Sequence, residues 1–125
     1  MASKVLIVGQ CGFDYHMLAR LIEACGGVPA GAETASSALQ RLHEEDFALV
    51  LVNRVIEGDG SAGMAVIGAM KSDAALSGVP VMLVSDYEEA QALAAAGGAL
   101  PGFGKSQLRE AGLCERIRRL LEVGE

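Results

Sequence analysis

The chain has 125 residues, 51% of them hydrophobic and 4% aromatic, with no Trp and a formal net charge of -6. This is one domain's length with enough aliphatic material to fill a core, which excludes a disordered chain. The acidic balance argues against nucleic acid as the main partner, and no apolar stretch approaches the roughly 18 residues of a membrane span.

The N-terminus runs directly into Val5–Val8 (VLIV) without a basic region followed by a long apolar one, so no signal peptide is expected and the setting is read as cytoplasmic. The run is short, apolar and rich in β-branched residues, which predicts a buried strand. Gly9-Gln10-Cys11-Gly12 forms a loop, and Asp14 is the expected N-cap of a helix whose apolar face is Leu18, Leu21, Ile22 and Cys25. Gly26-Gly27 ends it. Val28–Ala32 carries Pro29 and therefore reads as an edge strand. Thr34 caps the next helix, with Ala35, Ala38, Leu39 and Leu42 on its inner face.

Within Phe47–Asn53 (FALVLVN), Ala48–Val52 are five apolar residues in a row, the pattern of a central strand buried on both faces. A Gly/Asp-rich loop and a helix near Met64–Lys71 follow. Val81–Val84 is a third apolar strand, ending at Ser85, and Asp86 is the expected cap of a helix over Tyr87–Ala96 stopped by Gly97-Gly98. Ala99–Phe103 contains Pro101 and reads as the other edge; after Lys105 comes a last helix near Gln107–Glu122, with Leu113, Ile117, Leu120 and Leu121 inward and Arg109, Arg116, Arg118 and Arg119 on or near its wet side. Cys11, Cys25 and Cys114 are odd in number and lack metal-ligand spacing, so they read as reduced thiols serving as small core residues.

Strands alternating with helices, through connections too long for hairpins, predict an α/β fold: a doubly wound, five-stranded parallel sheet. The two proline-bearing strands belong at its edges, which gives the flavodoxin-like order 2-1-3-4-5 in one domain over residues 1–125, with no effector domain expected. In such sheets the working groups stand past the carboxyl ends of the strands. Here these are Gly9 and Gln10 after the first, Asn53 ending the third, Ser85 after the fourth and Lys105 after the fifth.

This set, with the stretch AAGGALPGFGK ahead of the lysine, resembles the receiver domain of two-component response regulators across essentially the whole chain. The resemblance implies an acidic pair that binds magnesium at Gly9 and Gln10, a phosphoacceptor aspartate at Asn53, and phosphoryl-contacting groups at Ser85 and Lys105. The last two match and the first three do not. Magnesium takes hard, usually anionic, oxygen ligands, and a carboxamide lacks the anionic oxygen that forms an acyl phosphate. No metal, no cofactor and no catalytic residue are therefore expected, and Lys105 is expected to stand without its family counter-charges. Glu57 and Asp59 are the nearby acids, read as solvated. The family's switch aromatic falls on Gly102, Phe103 should face the other side of its strand, and Ser106 replaces the proline after the lysine.

Each retained residue also has a plainer reading. Ser85 bonds backbone at a strand end, Lys105 is exposed or bonds the Asn53 side-chain oxygen, and Asn53 plugs the loop by satisfying its amides. His16 and His43 read as helix-surface residues. The leading expectation is a stand-alone, degenerate receiver-like signalling module, not an enzyme. It would act by binding a protein (a histidine kinase, an effector or a second copy of itself) through the face of helix four, strand five and helix five, where the arginines lie. The alternative is a phosphoacceptor regulator with an engineered or non-standard site. A minor one is a small-ligand domain of cobalamin type, prompted by Asp14-Tyr15-His16 but opposed by Ala19, Asn53-Arg54 and Ser85-Asp86 where that family has glycine and serine.

Overall fold

The computed structural model describes residues 3–123. Its elements are β1 (Ser3–Val8), α1 (Gly12–Ala24), β2 (Gly27–Ala32), α2 (Ala35–Glu44), β3 (Leu49–Asn53), α3 (Gly63–Ser72), β4 (Val81–Val84), α4 (Glu88–Ala96), β5 (Leu100–Phe103) and α5 (Ala111–Val123), with a 3-10 turn at Lys105–Gln107. The five strands form one parallel sheet in the order β2-β1-β3-β4-β5, the architecture expected from the apolar runs and edge prolines.

Side chains alternate across the sheet as the pleat requires. Leu6, Val8, Val50, Val52, Val81 and Leu83 face the layer that includes Ala38, Leu42, Val66, Ile67, Met70 and Ala94 from α2, α3 and α4. Val5, Ile7, Leu49, Leu51, Met82 and Val84 face Leu18, Ile22, Leu113, Ile117 and Leu121 from α1 and α5. These strand residues are at most 2% exposed, so β1, β3 and β4 are covered on both faces. Truncating such a side chain to alanine, as at Leu51, typically costs about 2–5 kcal/mol. This double core fixes where the carboxyl ends of the three central strands meet.

Several boundaries differ from expectation, each for a local reason. Thr34 caps α2 as predicted, its hydroxyl accepting from the Ser37 N–H at 3.0 Å. The N-cap of α1, however, is Cys11. Asp14 lies within the first turn, where its carboxylate accepts from the Cys11 thiol at 3.3 Å and suits the positive end of the helix. The N-cap of α4 is Tyr87, and the Ser85 hydroxyl accepts the Tyr87 N–H at 3.1 Å, which leaves Asp86 free for other partners. α5 begins only at Ala111, because Gln107 folds back and its side-chain oxygen accepts the Gly104 N–H at 2.8 Å, closing a separate turn. Cys11 is exposed, in contrast to the core position read for it, while Cys25 is buried and Cys114 half-buried. Among the described residues no helix is long and apolar enough to cross a membrane.

Candidate functional site

The carboxyl ends of β3 and β4 and the turn after β5 enclose a cleft of about 280 Å³, lined by Asn53, Arg54, Val84, Ser85, Asp86, Tyr87 and Lys105. Asn53 is the last residue of β3 and stands opposite Val84 of β4. Its side-chain Nδ2 donates to the Gly9 carbonyl at 3.0 Å, and the Glu57 N–H donates to the same oxygen at 3.0 Å. Asn53 is thus a plug, but it satisfies a loop carbonyl and not the loop amides expected of it. The bond needs a donor, so an amide can make it and an ionised carboxylate cannot.

Gly9 and Gln10 do not form a pair facing this cleft. Gly9 has φ +77°, and a Cβ built there would lie 2.9 Å from three atoms of Ile56. A side chain at position 9 meets both the left-handed backbone penalty and a packed isoleucine. Gln10 instead lines a second cavity of about 300 Å³ between α1 and β2, with Tyr15, His16 and Glu33. Its amide oxygen and nitrogen are both shut off from solvent without a hydrogen-bond partner.

Lys105 is not left without a counter-charge. Its Nζ lies 2.7 Å from Oδ2 of Asp14, one turn into α1, with the two side chains 36% and 25% exposed. The hydrogen bond from Lys105 holds the Asp14 carboxyl below the usual carboxylate range, against an opposing push from burial. The bond from Lys105 to Asn53 considered from the sequence is replaced by this ion pair. An acid four residues beyond Gln10, on a helix and not at a strand end, supplies the charge that balances the lysine.

The other retained position follows its plainer reading: the Ser85 hydroxyl lines the cleft and is engaged with the Tyr87 N–H. Asp86 accepts from the Ser106 hydroxyl at 2.5 Å, tying the β4 end to the β5 turn. At Gly102, an added Cβ would run into the Leu83 carbonyl and lie 2.7 Å from Oε1 of Gln91. Gln91 of α4 occupies that space, its Nε2 donating to the carbonyls of Leu83 at 2.9 Å and Ser85 at 3.0 Å. Phe103 points to the opposite face, as expected, and is buried against the α1/α5 layer. Glu57 and Asp59 are exposed and line none of the cleft. Asp59 caps α2 and its own loop, accepting from the Ala35 N–H at 3.1 Å and the Ser61 N–H at 2.9 Å, and bonds from Ser61 hold its carboxyl low. Among the described residues no group of three or more His, Cys, Asp or Glu side chains is placed to hold a metal.

Arg54, Asp86, Tyr87 and Gln91 escape a reading confined to strand-end positions. Arg54 stacks over the Tyr87 ring at 4.9 Å at the cleft mouth. The available signal for Arg54 and Asp86 is adjacency, since each directly follows a strand-end residue. On the α4–β5–α5 face the arginines are partly engaged with their own chain. Arg116 donates to the Pro101 carbonyl, while Arg118 and Arg119 lie 3.4 Å and 3.3 Å from Glu115. His16 is exposed on α1, and His43 lies 3.0 Å from Asp73, both on helix surfaces as expected.

No family model and no curated protein matches the chain. Solved structures do. A putative response regulator from Chloroflexus aurantiacus J-10-fl superposes with a TM-score of 0.85 at 17% identity, over 98% of this chain and 99% of that one. The signal receiver domain of a signal transduction histidine kinase from Syntrophus aciditrophicus gives 0.80 at 20% identity, over 98% and 92%. NtrX from Brucella abortus gives 0.80 at 23% identity over 99% of this chain, which spans only 28% of the NtrX chain. The chain therefore has the flavodoxin-like fold of response regulator receiver domains.

Proposed function

We propose that this chain is a receiver-like module of a two-component signalling pathway that takes no phosphoryl group, performs no catalysis and acts by binding another protein. The arrangement of Asn53 carries the reading. Its amide is committed as a donor to the Gly9 carbonyl at the place where a receiver offers a nucleophilic carboxylate. Two further observations support it. Gly9 has no room for an acidic side chain, and the lysine that would contact a phosphoryl oxygen is held by Asp14. The strand-end position thus lacks an anionic acceptor. The cleft's one carboxylate, Asp86, is engaged by the Ser106 hydroxyl, and one is too few for an acidic cradle for magnesium.

The partner is a kinase, an effector or a second copy of the chain, met through the face of α4, β5 and α5. Leu93 of α4, 62% exposed, lies instead on the α3 side of that helix, in a groove with Val55, Met64 and Tyr87. Incubation with acetyl phosphate and Mg²⁺, followed by intact mass spectrometry, tests the central claim. The expected spectrum is unchanged; a gain of about 80 Da, one phosphoryl group, overturns it.

A further inference from the structure

Two of the three cysteines meet in the fold. Cys25 follows the last turn of α1 and Cys114 lies in the first turns of α5, 89 residues apart in sequence, yet their sulfurs are 2.8 Å from each other. Both are free thiols. The separation is far below that of two sulfurs merely packed together, and a small side-chain adjustment brings it to the roughly 2.05 Å of a disulfide bond. The environment is asymmetric. Cys25 is 2% exposed, whereas Cys114 is half-buried and has Nη2 of Arg118 3.7 Å from its sulfur.

We propose that Cys25 and Cys114 form a reversible redox pair, oxidised to an intramolecular disulfide that staples α1 to α5. Small disulfides of the oxidised glutathione class are the oxidant. The accessible Cys114 thiolate attacks one sulfur of that disulfide; its S–S bond breaks, and one thiolate leaves and takes up a proton. The Cys25 thiolate then attacks Cys114 Sγ in the mixed disulfide and expels the second thiol. The chain loses two protons and two electrons, and the oxidant is reduced to two thiols.

The second step is the slow one. Burial, with the bond to Cys114, pushes the Cys25 thiol up to about 12, so little thiolate is present at neutral pH. Its rate should rise with pH between about pH 7 and 9. Cys11, exposed at the start of α1, has no part in the pair.

The folded protein is incubated with excess oxidised glutathione at pH 8.5, alkylated under denaturing conditions and read by intact mass and peptide mapping. The expected result is a linked peptide joining Cys25 to Cys114, with the loss of about 2 Da that this bond entails and Cys11 either alkylatable or carrying one glutathionyl group, all reversed by a dithiol reductant. The thermal midpoint should rise by about 10 °C, because the closed loop spans most of the chain. C25S should stop at a glutathionyl adduct on Cys114, and C11S should oxidise like the wild type. Three alkylatable thiols persisting in the wild type, or a link through Cys11, overturns the proposal. The wild-type result decides the question even if C25S fails to fold.

Discussion

Replacing Asn53 by aspartate restores the residue type a phosphoacceptor needs, yet the geometry predicts a less stable protein that is still not phosphorylated. The substitution puts a carboxylate oxygen where Nδ2 now stands, 3.0 Å from the Gly9 carbonyl oxygen. The lost hydrogen bond is worth about 1 kcal/mol net. An anionic oxygen facing a carbonyl in a half-buried site adds about another 1 kcal/mol. The Gly9 carbonyl keeps the Glu57 N–H, so it is not orphaned and the loss stops there. The sum, about 2 kcal/mol, corresponds to a fall of about 6–10 °C in the thermal midpoint for a domain of this size.

The loss is pH-dependent in a defined sense. A carboxyl facing a carbonyl is favoured in its protonated form, so its folded pKa is raised above the unfolded value. N53D therefore lies closest to the wild type below the unfolded carboxyl pKa of about 3.9, and falls behind as pH rises toward the higher folded value. Parallel thermal melts of the two proteins across pH 3–8, followed by circular dichroism, measure the difference. Acetyl phosphate with Mg²⁺ supplies the second readout. A variant as stable as the wild type at pH 7, or one that gains about 80 Da, refutes the reasoning from the Asn53–Gly9 bond.

Three other substitutions test neighbouring contacts. Asp14→Asn should lower stability by about 0.5–1 kcal/mol at pH 7, since the pair with Lys105 is partly exposed. The Asp14 carboxyl is held low in the fold, so its contribution is complete above the unfolded value of about 3.9 and fades as pH falls through the folded value. Urea midpoints of D14N and the wild type should therefore converge on acidification, and divergence there would show that the pair is not the source. Gly9→Asp should cost more than about 2 kcal/mol, combining a left-handed φ with the Ile56 contact; an unchanged urea midpoint would place the β1–α1 loop elsewhere. Gly102→Tyr, which supplies the missing aromatic, should cost a similar amount, because the Leu83 carbonyl and Gln91 leave its Cβ no space. Combining it with Gln91→Ala should recover only the part due to Gln91.

The fold was legible because the core needs little specificity. VLIV, ALVLV and VMLV have no polar position to expose, so each had to be covered on both faces, and Pro29 and Pro101 sent their strands to the edges. Helix starts were less legible because capping depends on geometry as well as residue type. Asp14 and Asp86 are good cap residues by composition, but each is drawn to a cross-chain partner, Lys105 in one case and Ser106 in the other. Thr34 has its capping partner Ser37 three residues away in its own helix, and there the expectation held.

Part of the cleft's lining was legible, and its wiring was not. Position along the chain identifies Asn53, Ser85 and Lys105 as cleft residues, and all three line it. Position does not reveal that Gln10 lines the α1–β2 cavity, or that an aspartate on α1 crosses to the lysine. With an amide at 53 donating to the Gly9 carbonyl, the β1–α1 loop is tied to the end of β3, and Ile56 leaves position 9 no room for an acidic side chain. The one carboxylate lining the cleft, Asp86, is engaged by the Ser106 hydroxyl, and the lysine pairs with Asp14 of α1. Each change there has its own local cost: an aspartate at position 53 breaks the bond to the Gly9 carbonyl, a side chain at position 9 meets Ile56, and one at position 102 meets the Leu83 carbonyl and Gln91.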